Sequence, residues 1–587
     1  MQSVHGLLRN RRLQFAVLAV LLLFILTLHL ITREPAVLDK QASQLSQDDP
    51  SSSSSPSAHL NTQGDKPADT QNHALDNGRS DNGTGRKDDV PTTTDNSDIL
   101  DPTKPRHYSM LLIIYSDYRD SDRRQLLRQH LLGLPDSIQP CMHANGDVLY
   151  KFAVRVPAQR PSEAKRLAAF RDYQSEAIEY GDVLELKTDS KWESQVELLR
   201  WVKTLKERRR LVTFDHLVYM DAYTVVRLGM YRVELASGNI AGQTLTAEQR
   251  ARLYLGAEHT RAPDLAILAA NTTDLMVKHA LEQKGPRDDD LFAHFHDRYA
   301  TTNDIHAIRD KRIYYWENSI DYLPKDAMGI TGVFITDDYQ LLQRRFPSQP
   351  PATCRRVASM FNVAVVTSAH IFDDNCMLDA AMASASLKRA YAIRHGYAFV
   401  ARSAEYAQQN RHKHRGAGWG RLDVIQKTLP HYDWILWTDM DAVVVNATRR
   451  LVDLFSLWGR EAGLDFADKH LVLTRLPGEQ GVDPGVMLVR NSRWSHDFIQ
   501  DVQMRREYYE RDDGVQRAIG AAIKEAKWMD KMVLLNSTDH SLLTAPQDYR
   551  AGDFIVHYTG STTCPAAQVL KATKQLESGQ VAGTFTP

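Results

Sequence analysis

The sequence predicts an α/β protein made of two tandem units that follow a single transmembrane helix and a disordered stem. Three observations predict it: an uncharged apolar run near the amino terminus, a long polar tract after it, and strand-like segments alternating with helical ones through the rest of the chain. Such alternation is typical of three-layer folds around a mainly parallel sheet. With 587 residues, the chain is long enough for more than one domain.

Composition narrows the class of protein further. The 72 Lys and Arg residues balance 73 Asp and Glu, and the net charge of −1 argues against nucleic acid or another polyanion as a partner. Four cysteines, at positions 141, 354, 376 and 564, are too few and too scattered for a disulfide scaffold or a zinc ribbon. One or two bridges would form in an oxidising compartment, and the sequence leaves every pairing open.

Residues 1–12 are predicted to be a cytosolic tail and residues 13–32 an uncleaved signal anchor. The anchor segment contains no Asp, Glu, Lys or Arg, and as a helix it would span about 30 Å, enough to cross a bilayer. Arginines precede it, so the tail is expected in the cytosol and the rest of the chain in the lumen. A cleaved signal peptide is the alternative, but the apolar run is longer than usual and no small-residue cleavage pattern follows it.

Residues 33–106 are rich in Ser, Asp, Asn and Thr, a composition that predicts a disordered luminal stem. N-glycosylation triplets begin at Asn82, Asn271, Asn446 and Asn536. We expect glycans on Asn82 and Asn271, because Asn446 lies beside the motif that is expected to be catalytic.

Two globular units are predicted after the stem, residues 107–345 and residues 355–587. The boundary is the Pro-rich FPSQPPATC that ends at Cys354. Strand-like segments in the first unit are MLLIIY and LYKFAVRV, and those in the second are NVAVVTSA, YAFVARS and WILW. The two units share one short similar segment, LVYMDAYTVV from Leu217 and LWTDMDAVVV from Leu436. In both, an apolar strand-like stretch is followed by acidic residues and then by a second apolar stretch.

Asp439 and Asp441 come directly after the apolar segment WILW. In extended chain, positions two apart project to one side, and ligands of open α/β sheets bind at the carboxyl ends of strands. Paired carboxylates suit Mn²⁺ or Mg²⁺, which can neutralise a diphosphate leaving group. The alternative is that the acids only stabilise a turn or cap a helix. His557, in the strand-like GDFIVHYTG, could complete the coordination sphere, although a lone histidine is more often structural.

Four motifs in order resemble glycosyltransferase family 34, the retaining galactosyl-, mannosyl- and xylosyltransferases of the fungal and plant Golgi. They are KRAYAIRHGY from Lys388, WGRLDVIQKTLPHYDWILWTDMDAVVVN from Trp419, DPGVMLVRNSRWS from Asp483, and GDFIVHYTG from Gly552. The resemblance implies a Rossmann-like GT-A fold that binds a nucleotide sugar.

The resemblance also implies roles for individual residues. Mn²⁺, or Mg²⁺, would be held by Asp439, Asp441 and His557. The donor site would comprise Asp439, Asp441, Trp419, Arg421 and Gly485. The catalytic pair would be Asp512 and Asp513, which steady positive charge at the sugar, whereas the alternative is that these acids merely occupy the start of a helix.

The chain departs from the family pattern at several of these positions. Gly514 follows the acidic pair where Gln is common, and Asp483 opens its motif where Asn is common. Ser561–Thr563 replaces an expected basic residue after the histidine strand, and Arg421 stands where Lys is usual. These departures bear on donor identity and phosphate contacts more than on the fold.

The first unit is more faintly similar to glycosyltransferase family 31, the β-1,3-galactosyltransferase and Fringe-like enzymes. The residues that carry the similarity are Arg123-Arg124 with Arg128, Glu179-Tyr-Gly-Asp-Val-Leu, and MGITGVFIT from Met328. Where that family has an acidic cluster, only Asp221 remains. A degenerate transferase domain, which binds acceptor glycan or packs on its neighbour, is therefore expected.

The sequence as a whole predicts a single-pass type II Golgi membrane protein that is a metal-dependent, retaining glycosyltransferase. It would move galactose, mannose or xylose from a UDP- or GDP-linked donor to a glycan acceptor on protein, lipid or polysaccharide. The alternative is a non-catalytic glycan-binding or scaffold protein built on inactive transferase domains. A glycoside hydrolase would need two carboxylates that flank the scissile bond at a set separation.

Overall fold

The structure is a computed structural model. It describes residues 105–578 except 135, 143–144, 208–211, 258–263, 284–289, 355–361, 371–375, 410–414, 462–467, 477–480, 537 and 559–563. All described residues belong to the compact unit Val90–Pro587. The predicted tail, the anchor at residues 13–32, most of the stem and Asn82 lie outside them. Within the described ranges, no helix is both long and apolar enough to cross a membrane.

The first half of the described chain forms a seven-stranded mixed sheet in the order β10-β8-β9-β4-β1-β2-β3. The strands of this half are β1 Arg106–Asp117, β2 Val148–Val156, β3 Val183–Lys187, β4 Val212–Asp221, β5 Val225–Val226, β6 Asn239–Ile240, β7 Gln243–Thr244, β8 Leu253–Ala257, β9 Leu265–Ala269, β10 His306–Asp310, β11 Ile313–Tyr315 and β12 Gly329–Thr331. Strands β1 to β4 are mutually parallel, and β9 enters antiparallel to β4. A separate three-stranded sheet has the strand order β11-β12-β5.

Helices cover both faces of this sheet, because its central strands are apolar on both sides. The helices are α1 Ser121–His130, α2 Ala164–Tyr180, α3 Lys191–Glu207, α4 Leu228–Ser237, α5 Ala247–Ala251, α6 Ala270–Glu282, α7 Leu291–Tyr299 and α8 Thr336–Arg345. Alternate residues of β1 belong to different cores: Leu112 and Ile114 pack in one, Leu111 and Ile113 in the other. The result is a three-layer architecture.

The second half forms a six-stranded mixed sheet in the order β14-β13-β15-β18-β17-β19, with a small sheet β16-β21-β20. Its strands are β13 Val363–Ser368, β14 Ala398–Arg402, β15 Trp434–Thr438, β16 Ala442–Val444, β17 Leu471–Arg475, β18 Val482–Arg490, β19 Met532–Leu535, β20 Leu543–Thr544 and β21 Ile555–His557. Its helices are α9 Leu378–His395, α10 Ala404–Gln409, α11 Gly420–Thr428, α12 Leu451–Glu461, α13 Arg493–Gln503, α14 Gly514–Ala522, α15 Ala526–Met529 and α16 Ala566–Glu577. Antiparallel β18 makes this sheet less parallel than expected.

The two segments that echo one another in sequence occupy matching places. In the first half, β4 runs parallel to β1, ends at Asp221 and continues into β5 of a small sheet. In the second half, β15 runs parallel to β13 and continues through Asp441 into β16 of a small sheet. Each segment therefore carries its acidic residue to the carboxyl edge of a sheet.

A buried charge cluster joins the two halves. Arg402, at the end of β14, donates to Asp136 at 2.6 Å and Ser137 at 2.8 Å, both from the first half, and pairs with Glu405 at 3.0 Å. Glu179 of α2 lies 3.6 Å from Arg402. Helix α2 also contributes Ile178 to the core of the second sheet. The halves therefore share packed and ionic contacts.

The C-terminal end of α2 is also capped from the second half. Arg389 donates to the carbonyl oxygens of Ile178 at 2.6 Å and Tyr180 at 3.2 Å. Gly181 follows in the left-handed conformation, and a Cβ there would lie 2.3 Å from the Arg389 guanidinium. Glycine is needed at this position both for its backbone and for the space that the arginine occupies.

The arginines that carry the family 31 resemblance form a buried ionic network. Arg124 pairs with Glu176 at 2.7 Å, and Arg128 pairs with both Glu176 at 2.7 Å and Asp182 at 2.8 Å. The motif carboxylate Asp182 is thus the partner of Arg128. These side chains hold α1 against α2 and the start of β3, a structural role that requires no ligand.

The four cysteines pair as Cys141 with Cys354 and Cys376 with Cys564. The first bridge ties the loop before β2 to the segment between the halves. The second ties the segment before α9 to the segment before α16. This resolves the pairing that the sequence left open.

Candidate functional site

The two predicted metal-binding aspartates lie in the turn between β15 and β16. Strand β15 ends at Thr438, the Ala442 N–H donates to the Asp439 carbonyl oxygen over 3.1 Å, and β16 begins at Ala442. The chain therefore turns here, instead of continuing extended as the sequence argument assumed. The turn, bracketed by two buried strands, brings both carboxylates to the same edge of the sheet.

His557 reaches this turn through strand pairing. Strand β16 pairs antiparallel with β21, and Ala442 lies opposite His557 in that register. In addition, the Tyr558 N–H donates to the Asp441 carbonyl oxygen at 3.2 Å. Residues more than a hundred positions apart in sequence are thus held in contact by the small sheet.

Asp439, Asp441 and His557 form a group in which one ligand atom from each residue lies within 4.8 Å of the others. Nε2 of His557 is 3.3 Å from Asp441 Oδ1 and 4.0 Å from Asp439 Oδ2. This nitrogen is buried and makes no hydrogen bond. Two carboxylate oxygens and an imidazole nitrogen suit a borderline divalent cation such as Mn²⁺. Across the described ranges, this is the one cluster of three such side chains.

Gly485 and Asp483 shape the far side of the imidazole. A Cβ at Gly485 would lie 1.9 Å from Cε1 of His557, so glycine is required to admit the ring. Asp483 Oδ2 lies 2.9 Å from His557 Nδ1, and Asp483 Oδ1 accepts from the Gly485 N–H at 2.7 Å. The carboxylate holds the proton on Nδ1 and leaves Nε2 facing the two aspartates. Gly485, predicted to bind donor, thus makes room for the histidine.

Three basic or polar side chains surround Asp439. Arg421 lies 3.0 Å from Oδ2, and the Trp437 indole donates to Oδ1 at 2.8 Å. The buried Lys388 donates from Nζ to the Asp439 carbonyl oxygen at 2.6 Å. Both the backbone and the carboxylate of Asp439 are therefore fixed before any ligand binds.

Burial and close charges shift the protonation equilibria here. Burial raises the pKa of Asp439, opposed by Arg421. Burial acts the same way on Asp441, but His557 outweighs it and lowers the pKa of Asp441. For His557, burial lowers the pKa, yet Asp483 and Asp441 together raise it well above its ordinary value. Burial lowers the pKa of Lys388 to about 7. Such concentrated shifts are typical of functional sites.

Trp419 is buried, two positions before Arg421 in the sequence. It closes the 3₁₀ turn Ala417–Trp419, packs edge-on against Tyr509 at 4.9 Å, and carries the Arg415 guanidinium 5.3 Å from its ring centre. Its indole nitrogen has no hydrogen-bond partner. Trp419 therefore forms a wall between the 3₁₀ turn and the loop before α14.

The predicted catalytic pair lies in that loop. Asp512 is exposed, whereas Asp513 pairs with Arg511 at 3.0 Å and Arg517 at 2.5 Å. Neither belongs to the three-ligand group. Asp513 stands at the N-cap of α14 but its side chain does not cap the helix. The assignment of a catalytic role to these residues stays a prediction.

Sequence reasoning missed two residues of the site. The sequence shows Asp483 only as a departure from the family pattern, and no local pattern indicates that its carboxylate lies against His557. Lys388 opens a motif that was recognised, but nothing in the sequence shows that its ammonium is buried against the Asp439 carbonyl.

The glycosylation triplets differ in their surroundings. Asn271 is exposed at the start of α6. The Asn446 amide donates to the Gly552 carbonyl oxygen at 3.1 Å, and its oxygen accepts from Thr448. Asn536 is exposed, next to an undescribed residue. Modification of Asn82 and Asn271 stays a prediction.

Comparison with known proteins gives a partial match in the second half. Residues 362–457 match the galactosyl transferase GMA12/MNN10 family. The chain is also 27% identical over 130 residues to the probable α-1,6-mannosyltransferase MNN10 of Saccharomyces cerevisiae, a match that covers 18% of this chain. It spans about a third of that relative, 32% of its length.

Solved structures of glycosyltransferases are also similar, at low scores. One takes part in glycosylation of the major capsid protein of PBCV-1, with TM-score 0.25 and 14% identity over 37% of this chain and 99% of that chain. The bifunctional glycosyltransferase WbbM has a TM-score of 0.28 and 9% sequence identity, and the match covers 79% of this chain and 99% of WbbM. GlyE of Streptococcus pneumoniae has a TM-score of 0.23 and 10% sequence identity, and the match covers 60% of this chain and 90% of GlyE.

The family match and the yeast relative support a glycosyltransferase, whereas nothing among them bears on the family 31 resemblance of the first half, which stays a prediction. The matched segment includes β13, α9, β15 and both turn aspartates. The resemblance to glycosyltransferase family 34 is therefore confirmed over residues 362–457.

Proposed function

We propose that the second half is a metal-dependent, retaining glycosyltransferase that moves galactose, mannose or xylose from a UDP- or GDP-linked donor to a glycan acceptor. The observation that carries the proposal is the group formed by Asp439, Asp441 and Nε2 of His557, which faces both carboxylates at the carboxyl edge of a sheet. A divalent cation held there supplies positive charge that stabilises the departing diphosphate.

The residues around the group support the same function. Asp483 holds the proton on Nδ1 of His557, so that Nε2 faces the aspartates and is the nitrogen that gives up its proton when a cation binds. Arg421, 3.0 Å from Asp439 Oδ2, adds a fixed positive charge at the edge where a diphosphate would lie. Trp419 packs against Tyr509, in the segment that leads to Asp512 and Asp513. Those two acids are proposed to steady the sugar as the glycosyl bond breaks.

The cellular setting is part of the same proposal. Residues 13–32 would anchor the chain in the Golgi membrane with the second half in the lumen, where glycan acceptors are found. The retaining outcome and the identity of Mn²⁺ rest on the resemblance to family 34. The non-catalytic alternative would keep the fold and lose turnover of every donor.

Hydrolysis of a panel of UDP- and GDP-sugars by the full chain, with Mn²⁺ and without acceptor, tests the proposal. We expect Mn²⁺-dependent hydrolysis of one donor, lost on addition of EDTA and lost in Asp439→Asn and Asp441→Asn. The matched control is Asp497→Asn, an exposed carboxylate that pairs with Arg493 on α13. Hydrolysis that survives both turn substitutions would place the chemistry elsewhere, and no hydrolysis of any donor would favour the non-catalytic alternative.

A further inference from the structure

The carboxyl edge of the first sheet carries a second cluster of polar and aromatic side chains. Strand β1 pairs with β2 on one side and with β4 on the other, so the order of strands reverses between β1 and β4. Asp117 ends β1 and Asp221 ends β4, and Tyr115 lies opposite Asp221. In open α/β sheets, ligands bind outside the carboxyl ends of strands at such a reversal.

Three aromatic side chains, Tyr223, Tyr315 and Phe334, form what we name the aromatic platform. Phe334 is 63% exposed, and its ring centre lies 4.9 Å from that of Tyr223. Tyr315 is 49% exposed and packs on Gly332, where a Cβ would lie 2.5 Å from its ring. Rings this exposed are costly to leave in water, and such patches mark binding surfaces.

The platform is held from below by charged groups. The Tyr223 hydroxyl donates to Asp120 Oδ1 at 2.8 Å. Arg123 lies 5.0 Å from the ring centres of both Tyr223 and Tyr339 and donates from Nη2 to the Val333 carbonyl oxygen. Arg123 is only 6% exposed, yet its Nη1 has no hydrogen-bond partner. Arg123 therefore keeps one unsatisfied buried donor next to the ring of Tyr223.

A polar cavity adjoins the platform. It has a volume of about 320 Å³ and is lined in part by Asp117, Arg119, Arg155 and Thr188. Asp117 connects it to the platform, because its N–H donates to Asp120, the partner of Tyr223. The edge of the sheet therefore offers ring faces at the platform and charged hydrogen-bonding groups in the cavity, and Asp120 and Asp117 connect the two.

The chemistry of this region fits a neutral sugar. Aromatic faces pack on the C–H faces of a pyranose, and fixed carboxylates accept hydrogen bonds from its hydroxyls. At the platform, Asp120 and Asp221 would repel a diphosphate, and no three-ligand metal group occurs in the described part of this half. The adjoining cavity is of mixed charge, with Arg119, Arg155 and Arg166 beside Asp117 and Asp189, and its Arg119 and Arg155 are already paired with Asp117. At the platform, the acidic groups therefore favour an uncharged glycan over a nucleotide sugar.

We propose that the aromatic platform and its adjoining cavity bind a neutral glycan, the acceptor of the transferase site in the second half; the acceptor role rests on the proposed function. The two sites lie on halves that share buried ionic contacts, so the first half would retain a growing glycan while the second modifies it. The platform itself carries out no bond-breaking step.

Isothermal titration of the full chain with neutral oligosaccharides of mannose, galactose and xylose, without donor and in EDTA, tests the proposal. We expect one series to bind, and Phe334→Ala and Tyr315→Ala each to weaken that binding about tenfold through lost ring stacking. The control is Val233→Ala, which is 65% exposed on α4 near the amino ends of β1 and β4. Its binding should equal that of the wild type.

The outcomes separate the platform from the proposed function. Wild-type binding that depends on Phe334, in a chain that hydrolyses no donor, would support the platform and contradict the transferase. Donor hydrolysis without oligosaccharide binding, or binding unchanged by Phe334→Ala and Tyr315→Ala, would overturn the platform. Light scattering that shows a dimer lost in Phe334→Ala, with no oligosaccharide binding by the wild type, would assign the rings to self-association and would also overturn it.

Discussion

Nδ1 of His557 lies 2.9 Å from Oδ2 of Asp483, and the other oxygen of that carboxylate accepts from the Gly485 N–H at 2.7 Å. One carboxylate therefore orients both the imidazole and the strand that must leave space for it. Because Nδ1 keeps its proton, Nε2 is available to a cation when the ring is neutral.

Replacing Asp483 tests this orientation. Asp483→Ala leaves the His557 and Gly485 N–H groups without their acceptor, and we expect Mn²⁺ affinity to fall by about 10- to 100-fold. Asp483→Asn keeps one oxygen for two donors, so its loss should be smaller. Titration of Mn²⁺ followed by electron paramagnetic resonance measures the affinity directly. Equal affinity in wild type and Asp483→Ala would show that the carboxylate does not orient a metal ligand.

Gly485→Ala tests the space around the imidazole. The new Cβ would lie 1.9 Å from His557 Cε1, so the ring must move away from the two aspartates, and we expect loss of Mn²⁺ binding. Gly520→Ala is the matched control, because its Cβ would meet nothing within 4 Å. That variant should bind Mn²⁺ normally and gain about 0.5–1 kcal/mol of helix stability. Wild-type Mn²⁺ binding by Gly485→Ala would contradict the geometry.

The site was predictable to the extent that local patterns define it. The apolar WILW followed by two acids indicated a strand that ends in carboxylates, and the late GDFIVHYTG indicated a histidine in a strand. The register that sets Ala442 opposite His557 depends on a small sheet that closes across more than a hundred residues, and no local pattern encodes that pairing. The turn at Asp439 likewise follows from strand β16, which is too short to recognise in sequence.

The contacts between the halves could not be predicted from the sequence either, because they too join residues that are far apart in the chain. Glu179 and Asp182 belong to a motif that suggested a family 31 domain, yet their partners are Arg402 of the second half and Arg128 of α1. These ion pairs could not be predicted because their partners are distant in sequence. In addition, a charged residue on a helix is usually exposed to solvent, so the sequence gives no sign that it is buried. The layered α/β fold class could be predicted, because the alternation of strands and helices is visible in short stretches of the sequence.

Arg402→Met tests the cluster that joins the halves. The substitution leaves Glu179 and Glu405 buried without this guanidinium, although Lys427 remains 3.2 Å from Glu405. We expect a loss of about 3–5 kcal/mol in the free energy of unfolding, measured by urea denaturation.

The matched control for that substitution is Arg493→Met, an exposed partner of Asp497. It should change the free energy of unfolding by no more than about 0.5 kcal/mol. Similar small losses in Arg402→Met and Arg493→Met would show that the cluster does not stabilise the contact between the halves.

Asp182→Asn tests the buried pair with Arg128 through its pH dependence. Burial alone would raise the pKa of Asp182, but Arg128 outweighs it and lowers the pKa. Stabilisation from a carboxyl with a lowered pKa is complete above the unfolded value of about 3.9 and is lost as pH falls through the folded value. The wild type should therefore exceed the variant in stability at neutral pH.

That difference should shrink progressively below about pH 4. Urea unfolding of both proteins across this range measures it. A difference that is constant with pH, or that grows in acid, would mean that the ionised form of Asp182 contributes nothing to the stability of the fold.

The most direct test of the central claim is anomalous diffraction from crystals of this protein soaked with Mn²⁺ and the donor that it hydrolyses. The account predicts one strong manganese peak in contact with Asp439, Asp441 and Nε2 of His557, with the donor diphosphate on its open side. A peak elsewhere, or a donor bound in this cleft with no peak at these three residues, would contradict the account.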